Sequence, residues 1–185
     1  MSSNKTTDFL KECMADALFG LMKKKPFAKI TINEIAEAAG VNRSTWFRNF
    51  DAKTDALTFK LVTLWNRWEE SHLAHESKRF TVDHAVAFFA FNASIRDILE
   101  IIYQAEQQPC VYDAFYQMIM PQCGANPIGC YEARFYSFGL FGLLDEWVKR
   151  GFYEKPEELA VLFRRMMSLD SQKDIFIETQ KQKAN

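Results

Sequence analysis

The chain has 185 residues, of which 48% are hydrophobic and 25% charged, enough for one good core or for a small head joined to a larger body. No apolar run approaches the roughly 20 residues needed to cross a bilayer, and the polar start MSSNKTTD is unlike a signal peptide. The net charge of −1 hides an asymmetry, because residues 1–60 carry 10 basic and 7 acidic residues while the remainder carries 13 and 17. We therefore expect a cytoplasmic protein with reduced cysteines and a mildly basic N-terminal third.

Helical periodicity is present from the N-terminus. Apolar residues from Phe9 to Leu21 recur at i, i+3, i+4 and i+7, the spacing of one buried helix face. Thr7 can cap this helix and Pro26 stops it. The pattern predicts a first helix between these two residues.

Two short helices are predicted directly after it. Thr31 and Glu34 have the spacing of a capping box at a helix start, and Gly40 can adopt the left-handed conformation that ends the same helix. Asn42 can cap a third helix that runs through Phe50. Two short helices joined by a Gly-centred turn are the layout of a helix-turn-helix.

The remainder of the chain also favours helices, and strand-like alternation is scarce. The predicted helices cover about 51–75, 82–93, 95–106, 110–120 and 128–150, with a last one beginning at Pro156. The segment PQCGANPIG, residues 121–129, contains two Pro and two Gly and is predicted to be a loop. The fold class is therefore all-α: a three-helix head with a helix-turn-helix, followed by a helical body.

The segment ITINEIAEAAGVNRSTWFRNFDAKTDAL, residues 30–57, resembles the DNA-binding domain of the TetR family of bacterial transcriptional regulators. The positions that match the family pattern in register are Thr31, Ile35, Ala36, Ala39, Gly40, Val41, Thr45, Trp46, Phe50, Lys53 and Leu57. Three positions depart from it, since Asn42, Phe47 and Asn49 stand where the family usually has Ser, Tyr and His. The resemblance implies a DNA-binding domain at 1–53 and an effector-binding and dimerisation domain at 54–185.

The resemblance also implies which residues touch DNA. Arg43, at the start of the third helix, is the best candidate for a base contact, because a guanidinium can donate twice to guanine O6 and N7. The expected DNA-binding residues are Thr31, Arg43, Ser44, Thr45, Phe47, Arg48, Asn49 and Lys53. Among them, Thr45, Asn49 and Lys53 are expected to contact phosphates by analogy with the family.

A looser resemblance covers 131–167, which is similar to the last two core helices of the family. In that family these helices pair with those of a second subunit as a four-helix bundle. The expected dimer contacts are Phe135, Phe138, Gly139, Gly142 and Leu143, with close packing of the glycines inside one chain as the alternative. The predicted partners are therefore a second copy of the chain and double-stranded operator DNA.

Aromatic residues make up 15% of the chain, and many of them fall in the body. In TetR-like proteins this region often holds a pocket for a small effector, and pockets are commonly apolar and aromatic. The predicted contacts of a small apolar or aromatic effector are Trp65, Trp68, Phe88, Phe91, Tyr103, Tyr112, Phe115 and Phe135. The alternative is that these rings form the ordinary core of the body.

Other functions compete with that of a ligand-responsive repressor. The sequence has none of the motifs G-x-S-x-G, G-x-x-x-x-G-K or G-x-G-x-x-G, so we predict neither an enzyme nor a bound cofactor. A metal sensor would use His72 and His75, with His84 beyond them, but no array of carboxylates and histidines completes a site. A transcriptional activator of the same fold and a helical adaptor that does not bind DNA stay open.

Overall fold

The computed structural model describes residues 2–72, 82–123 and 126–167, and within these ranges the regular structure is helical. The helices are α1 Ser2–Met22, α2 Ile32–Ala38, α3 Arg43–Phe47, α4 Lys53–His72, α5 Val82–Ser94, α6 Arg96–Gln104, α7 Pro109–Cys123, α8 Pro127–Lys149 and α9 Pro156–Met167. A 3-10 turn, Phe27–Lys29, lies between α1 and α2. We refer to α1–α3 as the head and to α4–α9 as the body. The all-α prediction is confirmed.

The head packs around the inner face of α1. Met14 and Leu18 of α1 are fully buried, as are Ile35 of α2 and Trp46 of α3. Trp46 also contacts Phe50, with the two ring centroids 5.1 Å apart. These large apolar side chains fix the angle between the short helices, which could not hold a fixed orientation by themselves.

The body is built on the long helices. α4 packs on both α1 and α7, α7 packs on α8, and α5 packs on α9. Rings fill the interior: Trp65 meets Phe91 edge to face at 5.2 Å, and Phe88 meets Phe115 in the same way at 4.7 Å. The buried apolar residues of head and body belong to one continuous cluster, so α4 joins the two parts through a shared core.

Two predicted boundaries were wrong. The first helix begins at Ser2, so that Thr7 lies inside α1 instead of capping it. The predicted loop at 121–129 is mostly helical, because α7 continues to Cys123 and α8 begins at Pro127. Pro121 lies inside the last turn of α7, where it cannot donate a backbone hydrogen bond, and the helix ends two residues later. Asn126 starts α8 by accepting a hydrogen bond from the backbone N–H of Gly129 at 2.9 Å.

The ends of α2 and α8 use the left-handed conformation. Gly40, after α2, has φ of 67°, and Gly151, after α8, has φ of 70°. Phe152 follows with φ of 58°, a conformation that a bulky side chain rarely adopts. Its ring lies 4.8 Å from that of Trp147, and this packing offsets the backbone strain. In the part of the chain that the structure describes, no helix is both long and apolar enough to span a bilayer.

Candidate DNA-binding surface

The start of α2 is fixed by a complete capping box. The Thr31 hydroxyl oxygen accepts a hydrogen bond from the backbone N–H of Glu34 at 3.3 Å. In return, the Glu34 carboxylate accepts from the Thr31 backbone N–H at 2.9 Å and from its hydroxyl at 2.8 Å. The capping role predicted for these two residues is confirmed. Thr31 is exposed, so its side chain can also face a phosphate.

A second contact ties the capping box to the end of α1. Lys25 Nζ lies 2.5 Å from Glu34 Oε1. The hydrogen bond from Lys25, together with the bonds from Thr31, lowers the pKa of Glu34 to about 2. The glutamate therefore stays ionised and keeps its acceptors filled over the physiological range. Sequence spacing gave no signal for this pair, because the two residues lie nine positions apart across an irregular connection.

The turn between α2 and α3 orients the recognition helix. The backbone N–H of Val41 donates to the carbonyl of Ala36 at 2.9 Å, just after the left-handed Gly40. Trp46 then inserts its whole side chain into the head core, with no exposed surface. Since one face of this five-residue helix is buried by Trp46, the opposite face points to solvent.

The exposed face of α3, with the residue that follows it, carries four of the eight predicted contact residues. Arg43, Ser44, Phe47 and Arg48 are all exposed there. The guanidinium of Arg43 lies over the ring of Phe47, 5.2 Å from its centroid. This cation–π contact restricts an otherwise mobile side chain at the tip of the helix, and it leaves the guanidinium N–H groups free for an acceptor.

Arg48 and Asn49 are held by the backbone of α3. Arg48 donates from Nε to the carbonyl of Ser44 at 3.2 Å, and Asn49 donates from Nδ2 to the carbonyl of Thr45 at 2.6 Å. Both Thr45 and Asn49 are half-buried. These bonds satisfy carbonyls at the open end of a very short helix, so part of the donor capacity of both residues is used inside the protein.

Lys53 has an internal position. Its ammonium group donates to the carbonyls of Phe27 at 2.7 Å and Ile30 at 2.8 Å, and it lies 4.3 Å from the centre of the Phe27 ring. Burial, with a smaller effect from the nearby charge of Lys25, lowers the pKa of Lys53. These bonds fasten the 3-10 turn before Thr31, which is a structural role, and the contact of Lys53 with phosphate stays a prediction.

Three exposed lysines add positive charge beside this surface. Lys23 and Lys24 follow α1, and Lys29 lies in the 3-10 turn that leads to Thr31. Lys23 and Lys24 stand at the C-terminal end of α1, where a positive charge complements the helix dipole. Their proximity in the chain to the start of α2 gives the head a second source of sequence-independent attraction to phosphate.

The predicted dimer residues lie along one exposed stripe of α8. Phe135 and Phe138 have 63% and 59% of their surface exposed, Gly139 and Gly142 are exposed, and Leu143 is half-buried. A Cβ built at either glycine would meet no atom within 4 Å among the described residues. Close packing inside the chain therefore does not require them, and a role in contact with another molecule stays a prediction.

The predicted effector residues do not form one site in the described structure. Trp65, Phe88, Phe91 and Phe115 are buried and pack on one another. Trp68, Tyr103 and Tyr112 are half-buried, while Phe135 is exposed. A cleft of about 590 Å³ lies elsewhere, between α1, α4 and α7, and none of the eight residues lines it.

The described residues contain no group of three or more His, Cys, Asp or Glu side chains arranged to hold a metal ion. His72 is exposed at the end of α4 and stacks on Trp68, with ring centroids 4.3 Å apart. His75 and the side chain of His84, which completed the metal-sensor alternative, lie outside the described residues.

Two family models match the sequence. One, described as bacterial regulatory proteins of the tetR family, covers residues 15–57, and the other, described as a transcriptional regulator C-terminal region, covers residues 83–169. The first spans the end of α1, the helix-turn-helix and the start of α4, and the second spans most of the body. No curated protein matches the chain.

Proposed function

Because the chain belongs to the TetR family of bacterial transcriptional regulators, it is a DNA-binding regulator, and we propose that it acts as a homodimeric repressor that binds a palindromic operator. The family consists of regulators rather than enzymes. We further propose that residues 1–53 are the DNA-binding unit and that residues 54–185 dimerise and bind an effector.

The observation that carries the proposal is the outward face of α3. An exposed arginine, ordered by an aromatic ring at the tip of a short helix, suits contact with a guanine edge in the major groove. Around it, Ser44, Phe47 and Arg48 are also exposed, and the capping box presents Thr31 at the start of α2. Phosphate contacts from these surroundings would set the register in which Arg43 reads the base.

Dimerisation is supported by the exposed apolar stripe of α8. Ile128, Tyr131, Phe135 and Phe138 expose more than half of their surfaces on neighbouring turns of one helix. A contiguous apolar surface of this kind marks an interaction site. We assign it to a second copy of the chain, because a five-residue recognition helix makes few contacts and two of them, one DNA turn apart, are needed for useful affinity.

The test is binding of the purified protein to the DNA upstream of its own coding sequence at two salt concentrations. Wild type should bind a palindromic site with an affinity that falls steeply with salt. Arg43→Ala should lose about 1–3 kcal/mol of discrimination for each half-site. Lys155→Ala removes an exposed cation in the turn before α9 and should leave binding unchanged.

Two outcomes would contradict the proposal. The first is the absence of specific binding both to this DNA and in a selection from genomic fragments. The second is an Arg43→Ala variant that keeps full discrimination between the operator and a scrambled site. Transcription in vitro from the bound promoter then decides the mode, since a repressor lowers the transcript level and an activator raises it.

A further inference from the structure

Phe47 is an apolar residue on the outward face of α3. Its ring has 52% of its surface exposed, whereas the neighbouring Trp46 has no exposed surface and fixes the orientation of the helix in the head. The two aromatic residues are adjacent in the chain but point to opposite sides, one into the core and one into solvent. The Phe47 ring is therefore available for contact with a molecule that docks on this face.

Arg43, one helical turn earlier, is paired with this ring. Its guanidinium carbon lies over the ring, 5.2 Å from the centroid. Within the described residues Arg43 forms neither a hydrogen bond nor an ion pair. By contrast, Arg48 donates from Nε to the Ser44 carbonyl at 3.2 Å and from Nη2 to the Thr45 hydroxyl at 3.4 Å. Of these two arginines, Arg43 is the one whose N–H groups remain available to a base.

The cation–π contact orders both partners before any ligand is bound. Each side chain limits the rotamers of the other, so both lose less conformational freedom when they meet a rigid surface. A guanidinium that donates twice to guanine lies at the edge of that base. Since base pairs are stacked about 3.4 Å apart and the Phe47 centroid is 5.2 Å from the guanidinium carbon, the ring then lies within about two base pairs of the guanine.

A phenyl ring is suited to only one group in the major groove. Base edges there present hydrogen-bond acceptors, amino donors and the C5 methyl group of thymine. The ring of Phe47 can neither donate nor accept, so beside a polar edge it would displace water without replacing the lost bonds. Beside a methyl group, both apolar surfaces leave water, which is favourable. The ring therefore favours thymine over the other three bases.

We propose that Phe47 is a specificity-determining residue whose ring contacts the C5 methyl group of a thymine, one or two base pairs from the guanine that Arg43 binds. The inference rests on the proposed regulator function, because it requires α3 to lie in the major groove. Each half-site of the operator then contains a guanine and a thymine at this fixed spacing. Deoxyuridine lacks the methyl group and pairs with adenine as thymine does, so it isolates the contact.

The experiment begins with selection of binding sites from a random-sequence duplex library by the full-length protein. In the selected site, each thymine of the half-site is replaced by deoxyuridine in turn, at the same position in both halves. Affinity is measured by fluorescence anisotropy. Burial of one methyl group corresponds to about a fourfold change in affinity, so replacement of the contacted thymine in both half-sites should weaken binding roughly 15-fold.

Variants then assign the effect to the ring. Phe47→Ala should bind the thymine site and its deoxyuridine counterpart equally well, whatever its overall affinity. Phe47→Tyr keeps the ring and should keep the preference for thymine. Lys29→Ala removes an exposed cation beside this surface, so it should lower overall affinity and leave the preference unchanged. Far-UV circular dichroism checks that all three variants are folded.

Three results would overturn the proposal. They are selected sites without a guanine and a thymine at this spacing, wild-type affinity that no deoxyuridine replacement lowers severalfold, and a Phe47→Ala variant with the wild-type preference for thymine. In each case the protein still binds a specific site, so the proposed regulator function stands. If the selection yields no specific site, the regulator function itself fails, and the role of Phe47 fails with it.

Discussion

Lys53 offers a direct choice between a structural role and a DNA contact. Its ammonium group makes two hydrogen bonds to carbonyls and a cation–π contact. Hydrogen bonds to a charged group contribute about 1.5–3 kcal/mol each and a partly exposed cation–π contact about 0.5–1 kcal/mol. The lowered pKa of Lys53 shows that desolvation opposes these gains. We therefore expect Lys53→Met to lower the free energy of unfolding by about 2 kcal/mol, after water replaces part of the lost bonds.

For a chain of this size, that loss corresponds to a fall in Tm of about 4–8 °C, measured by thermal unfolding in far-UV circular dichroism. The slope of log K for operator DNA against log salt should not change, because the ammonium group is turned towards carbonyls. Lys24→Met, at an exposed position after α1, is the control and should leave Tm unchanged. A Lys53→Met protein with unchanged Tm and a slope smaller by about 0.9 per subunit would refute the structural role and establish a phosphate contact.

Three further predictions concern the dimer, the turn and the capping box. Phe138→Asp should convert the protein to a monomer in sedimentation equilibrium, whereas Tyr153→Asp, at a residue 82% exposed outside α8, should leave the dimer intact. Equal masses for the two variants would contradict the assignment of the α8 stripe to the dimer interface. Gly40→Ala should lower the free energy of unfolding, measured in urea, by about 1 kcal/mol, because position 40 has a positive φ. Gly20→Ala, within α1, should raise it by up to about 1 kcal/mol, because alanine favours a helix more than glycine does. The opposite signs would refute the backbone argument. Folding lowers the pKa of Glu34 from 4.5 to about 2, so the stabilising contribution of its carboxylate is complete above pH 4.5 and is lost as pH falls through about 2. The difference in free energy of unfolding between wild type and Glu34→Gln should therefore vanish near that pH. A difference that persists at lower pH would exclude this linkage.

The helices could be predicted from sequence because their signals are local. The capping box of Thr31 and Glu34 and the glycine at position 40 act over one turn, and α2 begins and ends where they indicate. The pattern of residues 121–129 was misleading, because Pro and Gly suggest a loop but a proline is also favoured in the first turn of a helix, as Pro127 is in α8. Local composition cannot decide between these cases, since the neighbouring packing determines how far the helix continues.

The candidate sites depend on contacts that no local pattern contains. The family register places Lys53 near the operator, but the carbonyls that bind it belong to Phe27 and Ile30, more than 20 positions earlier. The cleft between α1, α4 and α7 is lined by Asp8, Glu70 and Asp113, one from each helix, and only tertiary packing brings these helices together. Sequence periodicity identified each helix without indicating which exposed acids would share a groove.

The position of α4 suggests how the proposed effector response would be passed from the body to the proposed DNA-binding head. At its first residue, Lys53 binds the turn before α2. Along its length α4 lines the cleft between α1, α4 and α7 and packs on α7, which in turn packs on α8. Its 20 residues span about 30 Å, so a rotation of about 5° around the body end would move the head by roughly 2.6 Å. In a dimer held through α8, such movements occur in both subunits and change the separation of the two α3 helices. A ligand can drive this change only if it binds one separation of the two heads more tightly than the other.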